Sequence, residues 1–402
     1  MSNAQYPHIV IGGGISGLGS AHYAVRHGVD TLVLERAPRV GGCMHTHRFD
    51  DQSGFWVEAG SHSCFNSYGN LLGMLEDLNL MGAITAKEKR SYLLYRGGAR
   101  KRVVGALHPL DLIGSLPRLF RLDKSQLSVA EYYGAGLGRK NYRDLFGPAF
   151  RSVICQDADD FPAEALFRKK PRRKDVLRSF TMPGGLNDIP AAIAEQPGLK
   201  VRAGVGVASV SPDGDGFAVL TEDGEQLRCE RLTLAVPPDI AARLLLEVAP
   251  QAAALIGEIG VAEIDSQLLL FDAERLELPE LAGLISVDGA FLSAVSRDFL
   301  PDARYRGFAF HFPGDSLDES TRIAAACAAL GTTPDQVVSS SCVRNRLPSL
   351  RKGHQARVER LDHALNGTRI AVTGNWFLGV SIEDCLTRSL GEHERLFAST
   401  PG

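Results

Sequence analysis

The sequence is poor in the residues that build disulfide scaffolds and metal sites. Its 7 cysteines are scattered from Cys43 to Cys385 without a C-x-x-C pair. That pattern excludes a disulfide framework and a structural zinc site, and leaves thiols expected to be reduced and mostly buried. No run of about eighteen apolar residues occurs, so no transmembrane helix is expected. The N-terminus lacks a basic region followed by an apolar stretch and a cleavage site. A cytoplasmic protein is expected, and Ser2-Asn3-Ala4 reads as a cloning remnant. Net charge is only -3 over 402 residues, a balance that gives no overall attraction to nucleic acid. With 44% hydrophobic and 23% charged residues, the chain is an ordinary globular one with material for about two to three domain-sized cores.

Glycine, by contrast, is abundant at 42 residues, and its placement near the start is informative. His8-Ile9-Val10-Ile11 reads as a buried strand and runs into Gly12-Gly13-Gly14-Ile15-Ser16-Gly17, a G-x-G-x-x-G at the start of a helix. Gly12 permits the tight turn, Gly14 lets a pyrophosphate approach the backbone, and Gly17 lets the helix lie against the sheet. The first N–H groups of that helix then face the phosphates. A second strand, Thr31-Leu32-Val33-Leu34, ends in Glu35, about twenty residues on, where an acid accepts hydrogen bonds from an adenosine ribose. An acid at that position disfavours a 2′-phosphate. Strand, loop, helix and acid together point to a dinucleotide rather than to an ordinary glycine-rich turn.

Further motifs follow: Arg36 and the pair Gly41-Gly42, then Trp56-Val57-Glu58-Ala59-Gly60-Ser61, Phe180-Thr181-Met182-Pro183-Gly184-Gly185-Leu186, Val205-Gly206-Val207, and Gly374-Asn375-Trp376-Phe377-Leu378-Gly379-Val380-Ser381. This set resembles the flavin amine oxidase superfamily, and in particular its protoporphyrinogen oxidase-like members. The resemblance implies non-covalent FAD held by Gly12, Gly14, Ile15, Ser16, Gly17, Glu35, Arg36, Gly41, Gly42, Gly60, Ser61, Val207, Gly374, Asn375, Gly379, Val380 and Ser381. It puts the backbone of Val207 at the adenine. It also turns the N-terminus of the last helix, where Ser381 and Asp384 read as a capping box, towards the pyrimidine edge of the flavin. Cys385 lies past that capped start, so no covalent link is expected. Three positions depart from the family. Cys43 stands where a cation usually follows the glycine pair. Ser266-Gln267 stands where amine oxidases often carry a lysine that reaches the flavin through water. Pro348-Ser349-Leu350 replaces the usual Pro-Gln-Tyr before Gly353-His354.

The implied fold is α/β: a Rossmann-like FAD-binding domain made of residues 5–80, 180–265 and 347–400, interleaved with an α+β substrate domain of residues 81–179 and 266–346 containing a mixed or antiparallel sheet. Helices are expected over Leu71–Leu80 and Thr321–Leu330. Strands are expected over Val201–Val210, Phe217–Thr221, Leu232–Val236, Gln267–Phe271, Ala290–Val295 and Gly307–Phe312.

The expected activity is that of an FAD-dependent oxidoreductase, which takes hydride from a large apolar molecule, a tetrapyrrole among the candidates, and passes electrons to oxygen. A flavin amine oxidase or a carotenoid-type desaturase is the alternative. A non-catalytic lipid-binding chaperone fits the intact glycine loop poorly. No catalytic acid or base is assigned. His62, Arg96, Arg178 and Trp376 are candidate substrate contacts. His45 and His47 share a strand face with Cys43, but no further ligand stands at a diagnostic spacing and no metal is expected. Between Glu88 and Arg178 there are 20 Lys and Arg against 10 Asp and Glu, which suggests an anionic partner for this segment. Within it, Leu112, Ile113, Leu116, Leu119 and Phe120 fall on one helical face beside Arg118 and Arg121, with Pro117 interrupting, and Arg168-Lys169-Lys170-Pro171-Arg172-Arg173-Lys174 is the densest charge run. A core-facing helix and a solvated loop are one reading of these features. Peripheral contact with an anionic membrane is the other.

Overall fold

The computed structural model describes residues 5–397. Ser2-Asn3-Ala4 and residues 398–400 of the expected FAD-binding segment lie outside the described residues. The apolar tetrapeptides near the start form the middle of a seven-stranded sheet. Leu199–Ala203, Thr31–Glu35, Gln5–Ile11 and Gln226–Leu234 run parallel, side by side. Gly216–Thr221 and Val207–Asp213 extend this sheet antiparallel, and Ile370–Val372 pairs in parallel with the last residues of Gln226–Leu234. Ile9, Val10, Leu32, Val33, Leu232 and Leu234 are buried, as a parallel sheet covered on both faces requires. Helices Ile15–Arg26 and Ile382–Phe397 pack together and are tied by Ser389 Oγ donating to Ser16 O at 2.8 Å. Helices Pro238–Leu245, Pro250–Gly257 and His354–Leu365 contribute to the main core cluster with the sheet.

The strand expected over Val201–Val210 is two strands. Gly204 takes a φ of +77° between them, and Val205 N turns to donate to Glu35 O at 2.8 Å. The expected Leu71–Leu80 helix is the shorter Gly69–Asp77.

A second seven-stranded sheet is mixed. Val337–Ser349, Gly260–Asp272, Tyr305–Pro313, Ser293–Ser296 and Gly283–Ser286 are antiparallel in succession; Tyr92–Arg96 then adds in parallel and Ala99–Arg102 antiparallel. Four of these strands were not foreseen: the 92–102 hairpin, whose outer strand is all exposed, Gly283–Ser286, and Val337–Ser349, which is largely polar. The 13-residue strands Gly260–Asp272 and Val337–Ser349 run through 265/266 and 346/347 and pair with each other in this second sheet, so residues 260–265 and 347–349 belong to it as well. Asp318 caps helix Glu319–Leu330 by accepting from Thr321 N at 2.8 Å.

In the basic segment, helix Pro109–Leu119 continues through Pro117. Its outward face differs from the expected one: Leu110, Ile113 and Phe120 are 86%, 68% and 83% exposed, whereas Leu112 and Leu119 are half-buried.

One buried carboxylate joins residues 46–58 to residues 186–187. Glu58 is 3% exposed; its Oε1 accepts from Leu186 N at 2.7 Å and its Oε2 from Thr46 Oγ1 at 2.9 Å. Thr46 Oγ1 in turn accepts from Asn187 N at 3.1 Å. Burial pushes the Glu58 carboxyl up to about 7 from an ordinary 4.5. Between those two values the folded chain holds a proton that the unfolded chain has released, so stability falls as pH rises through the window. Glu58→Gln keeps an acceptor for Leu186 N and removes the titration. Its melting temperature relative to the parent is expected to rise between about pH 5 and about pH 8; thermal denaturation at both values checks this, and a constant difference would contradict it.

Candidate functional site

A cleft of about 310 Å³ lies beyond the carboxyl ends of the parallel strands, at Ile11-Gly12, Leu34-Glu35, Ala235-Val236 and Gly374, the position where doubly wound sheets bind ligands. Of the residues expected to bind cofactor, Gly12, Gly14, Ile15, Ser16, Glu35, Arg36, Gly41, Gly42, Ser61, Val207, Gly374, Asn375 and Val380 line it. Gly17, Gly60, Gly379 and Ser381 do not; they stand behind the wall and let its parts approach one another. A Cβ on Gly17 would lie 1.9 Å from Gly12 O, one on Gly60 2.1 Å from Cys43 O, and one on Gly379 2.7 Å from Asp384 Oδ2 and 2.8 Å from Ala165 O.

Gly14 is different. A Cβ there would meet nothing closer than 3.9 Å, so its open face belongs to the cleft. Gly14 is also the N-cap of helix Ile15–Arg26, with no side chain bonded there and no acid in the first turn. The helix thus offers uncapped N–H groups beside empty space, the requirement for a diphosphate. Glu35 fixes the loop from below: its Oε2 accepts from Gly13 N at 2.6 Å and its Oε1 from Ala37 N at 2.7 Å. A carboxylate has about four acceptor positions, which leaves capacity for ribose hydroxyls. Val205, Gly206 and Val207 all line the cleft although only Val207 is in a strand. The residues present therefore fit an adenine dinucleotide at this end.

Two cations on the wall were not foreseen, Arg243 and Arg346. Arg243 Nη1 donates to Ala208 O at 2.9 Å, and Arg346 pairs with Asp239 at 2.8 Å. In sequence Arg243 looks like any helix-surface arginine; the clue is that its helix starts directly after the cleft-lining Val236-Pro237. Cys43 does line the cleft where a cation was expected, and burial raises its thiol. Cys385 lies past the capped helix start as expected, yet it lines the cleft too. Burial pushes its thiol up to about 12, so little nucleophilic thiolate is present.

The model of the family described as flavin containing amine oxidoreductase matches residues 15–298. The chain belongs to that family. Its relatives include the flavin-dependent L-tryptophan oxidase RebO of Lentzea aerocolonigenes, 24% identical over 61% of this chain and 61% of that one. The chain thus spans about three fifths of that relative's length. The coproporphyrinogen III oxidase of Propionibacterium freudenreichii subsp. freudenreichii is 22% identical over 96% of this chain and 90% of that one. Among solved structures, a protein of Exiguobacterium sp. provisionally named as a protoporphyrinogen oxidase superposes with a TM-score of 0.78 over 100% of both chains, at 17% identity. At that identity the superposition establishes the fold, an FAD-dependent amine oxidase-like one.

The flavin family membership accounts for the far end of the cleft, walled by Gly374, Asn375, Trp376, Val380 and Ile382. Trp376 is 1% exposed; its Nε1 donates to Val236 O at 3.3 Å, its carbonyl accepts from His354 Nε2 at 2.7 Å, and its ring stacks on Phe377. It is a wall of the cofactor cleft rather than a projecting substrate contact. Behind it Ser381 and Asp384 form the expected reciprocal cap: Asp384 N donates to Ser381 Oγ at 3.1 Å and Ser381 N to Asp384 Oδ2 at 3.3 Å.

Beside Ala59–Ser61, among residues that do not themselves line the cleft, lies a buried polar cluster. Ser266 Oγ, His311 Nδ1 and Asn345 Nδ2 are joined at 2.9 and 3.1 Å, and Asn345 also donates to Ala59 O at 2.9 Å. Burial pushes His311 down to about 4 and His62 down to about 3, so both imidazoles are neutral at physiological pH. Lys87, which the sequence reading passed over, donates to His62 O at 2.7 Å and Ser63 Oγ at 2.6 Å and sits 3.7 Å above the Phe299 ring. Burial pushes its ammonium down to about 8. Arg96 and Arg178 are not brought to the cleft. Arg96 is engaged by Asp144 at 2.9 Å, a carboxylate held well below its usual range by Arg143, Arg96 and His108. Arg178 is exposed on the outside. His45 and His47 do not converge with Cys43 on a common point: among the described residues no cluster suited to a metal occurs.

Gly14→Val is expected to leave the fold intact and to weaken FAD binding by at least about a hundredfold, because its side chain fills the diphosphate space. Gly17→Ala is expected to cost the fold itself. Apoprotein fluorescence titration with FAD and circular dichroism separate the two, and a Gly14→Val protein that binds FAD like the parent would contradict this assignment.

Proposed function

We propose that this amine oxidoreductase oxidises a large apolar molecule bearing carboxylates, of the porphyrinogen type, by hydride loss to non-covalent FAD, with oxygen as the final acceptor. When bound, FAD supplies the two-electron acceptor. The chain supplies the hold: Gly14 and the uncapped helix start for the diphosphate, Glu35 for the ribose, and the Gly374–Ile382 wall for the ring. The observation that carries the porphyrinogen reading is the neutral polar cluster around Ser266, buried behind the cleft and tied by Asn345 to Ala59 O, two residues before the cleft-lining Ser61. Where amine-oxidising relatives often place a lysine, this chain has a serine hydroxyl locked to His311 and Asn345. A carbon donor needs orientation and exclusion of water more than it needs a charged group. The near full-length match to a coproporphyrinogen III oxidase supports the same reading. Amine oxidation remains the second reading, favoured by the family itself and by the tryptophan oxidase among the relatives.

With coproporphyrinogen or protoporphyrinogen in air, the protein is expected to yield the fluorescent porphyrin and hydrogen peroxide without added nicotinamide, and acid or heat denaturation is expected to release free FAD. Porphyrinogen oxidised only at its spontaneous rate, together with rapid flavin reduction by an amine or a polyene, would move the assignment to the second reading. A peripheral membrane role for the 101–121 segment is proposed alongside. Leu110, Ile113, Phe120 and Val104 are exposed near exposed Lys101, Arg102, Arg118 and Arg121, while no helix among the described residues is long and apolar enough to cross a membrane. Sedimentation with anionic vesicles is expected at low salt and is expected to weaken as salt rises; equal, negligible recovery with neutral and anionic vesicles would overturn it.

A further inference from the structure

The run Arg168–Lys174 was read as a solvated loop or a lipid contact, yet one member is turned inward. Lys170 Nζ lies 2.8 Å from Asp384 Oδ1 and donates to Ser381 Oγ at 2.9 Å; the two charged side chains are 19% and 9% exposed. Its ammonium also stands 5.5 Å from the centre of the Tyr68 ring. Arg173 anchors the same strap: it pairs with Glu76 and Asp175, its backbone N donates to Asn66 O at 2.9 Å, and its carbonyl accepts from Asn66 Nδ2 at 2.7 Å. Lys169 is exposed.

The residues that Lys170 grips are the cap of the final helix, and their neighbours Val380, Ile382 and Cys385 line the cleft. Glu35 and Gly14 fix the adenosine diphosphate end, so this opposite end is left for the redox-active ring. The helix starts with two acids. Glu383 is turned away, accepting from Asn70 N at 2.9 Å and Leu71 N at 3.2 Å. Asp384 is at the cap itself, where an unpaired carboxylate would cancel the positive end of the helix dipole. Lys170 is the cation that meets it.

We propose that Lys170 is a positioning residue for the flavin: by neutralising Asp384 it keeps the helix start bordering the cleft electropositive towards charge gained on reduction. This rests on the FAD reading above. Two electrons and one proton, delivered by a donor to a neutral ring, leave it with one net negative charge, which an uncompensated Asp384 opposes. Removing Lys170 therefore weakens binding of reduced relative to oxidised FAD by about tenfold, the effect of one unit charge roughly 12 Å away at an effective dielectric of about 20, which lowers the midpoint potential by about 30 mV for a two-electron couple.

The test uses the full chain loaded with FAD and titrated with dithionite beside a reference dye, together with FAD titration of each apoprotein. Lys170→Met is expected to show the lowered potential, Lys170→Arg to restore it, and Lys169→Met to match the parent. The double variant Lys170→Met, Asp384→Asn removes both charges and is expected to recover the parent potential. A folded, FAD-loaded Lys170→Met with the parent potential would overturn the proposal. Should Lys170→Met lose FAD altogether, recovery of binding in the double variant supports the proposal, and loss in both overturns it. A parent protein that binds no FAD would instead sink the cofactor reading on which it stands.

Discussion

The cleft exists because two glycine loops meet backbone to backbone. Gly41 N donates to Gly13 O at 2.8 Å, Gly14 bridges Gly41, and the Cβ that Gly42 lacks would lie 3.2 Å from Gly14 Cα. Glu35 completes the arrangement by accepting from Gly13 N while its strand pairs with Gln5–Ile11. Every other feature of the cofactor end follows from this contact. The diphosphate space at Gly14 stays open because the remaining glycines absorb the crowding, Gly12 against Ala235 O and Gly17 against Gly12 O. Side chains at either position would separate the helix from the sheet and move the uncapped N–H groups away from the place where a phosphate can use them.

The first sheet needs its own fastening, since its strands come from residues 5–35, 199–234 and 370–372. Glu58, after the first of these stretches, is joined to Leu186 N, before the second, and to Thr46. Glu383, after the third, joins the chain that follows the first by accepting from the starting N–H groups of helix Gly69–Asp77. Both carboxylates are desolvated and both are raised as a consequence. A buried acid bonded to backbone N–H groups is directional, unlike apolar packing. These two acids therefore set which segments meet, while the apolar clusters around Leu71, Leu75, Phe180 and Leu386 supply the burial.

Much of the candidate cleft was legible because it is local. The turn at Gly12, the acid at Glu35 and the cap at Ser381 and Asp384 each depend on residues within one turn or one strand, and the sheet periodicity around them is strong. The errors lie where distant segments decide. Gly379 reads as a ring contact, but the space it saves belongs to Asp384 and Ala165 O. Arg96 reads as a cation ready for a carboxylate, but Asp144 already holds it. Lys170 is one lysine among seven residues of which six are basic, and nothing local marks it as the one turned inward. The outer strands Ala99–Arg102 and Val337–Ser349 escaped because their polar or charged sequences carry no apolar alternation, pairing having been imposed by the neighbouring strand.

The same distinction explains why cofactor chemistry is clearer here than substrate chemistry. The dinucleotide end of the cleft is lined largely by glycines and backbone, so glycine spacing records it. The polar cluster behind Ala59–Ser61 is made of side chains from five separate places: His62, Lys87, Ser266, His311 and Asn345. Each is unremarkable where it stands in the chain, and together they form a neutral imidazole pair beside one depressed ammonium. Two of the three ammonium hydrogens of Lys87 go to His62 O and Ser63 Oγ, so it ties down the 62–63 turn. In this cluster Lys87 is engaged by His62 O and Ser63 Oγ and both imidazoles are uncharged, so its chemistry is set by packing between distant segments and not by any one stretch of sequence.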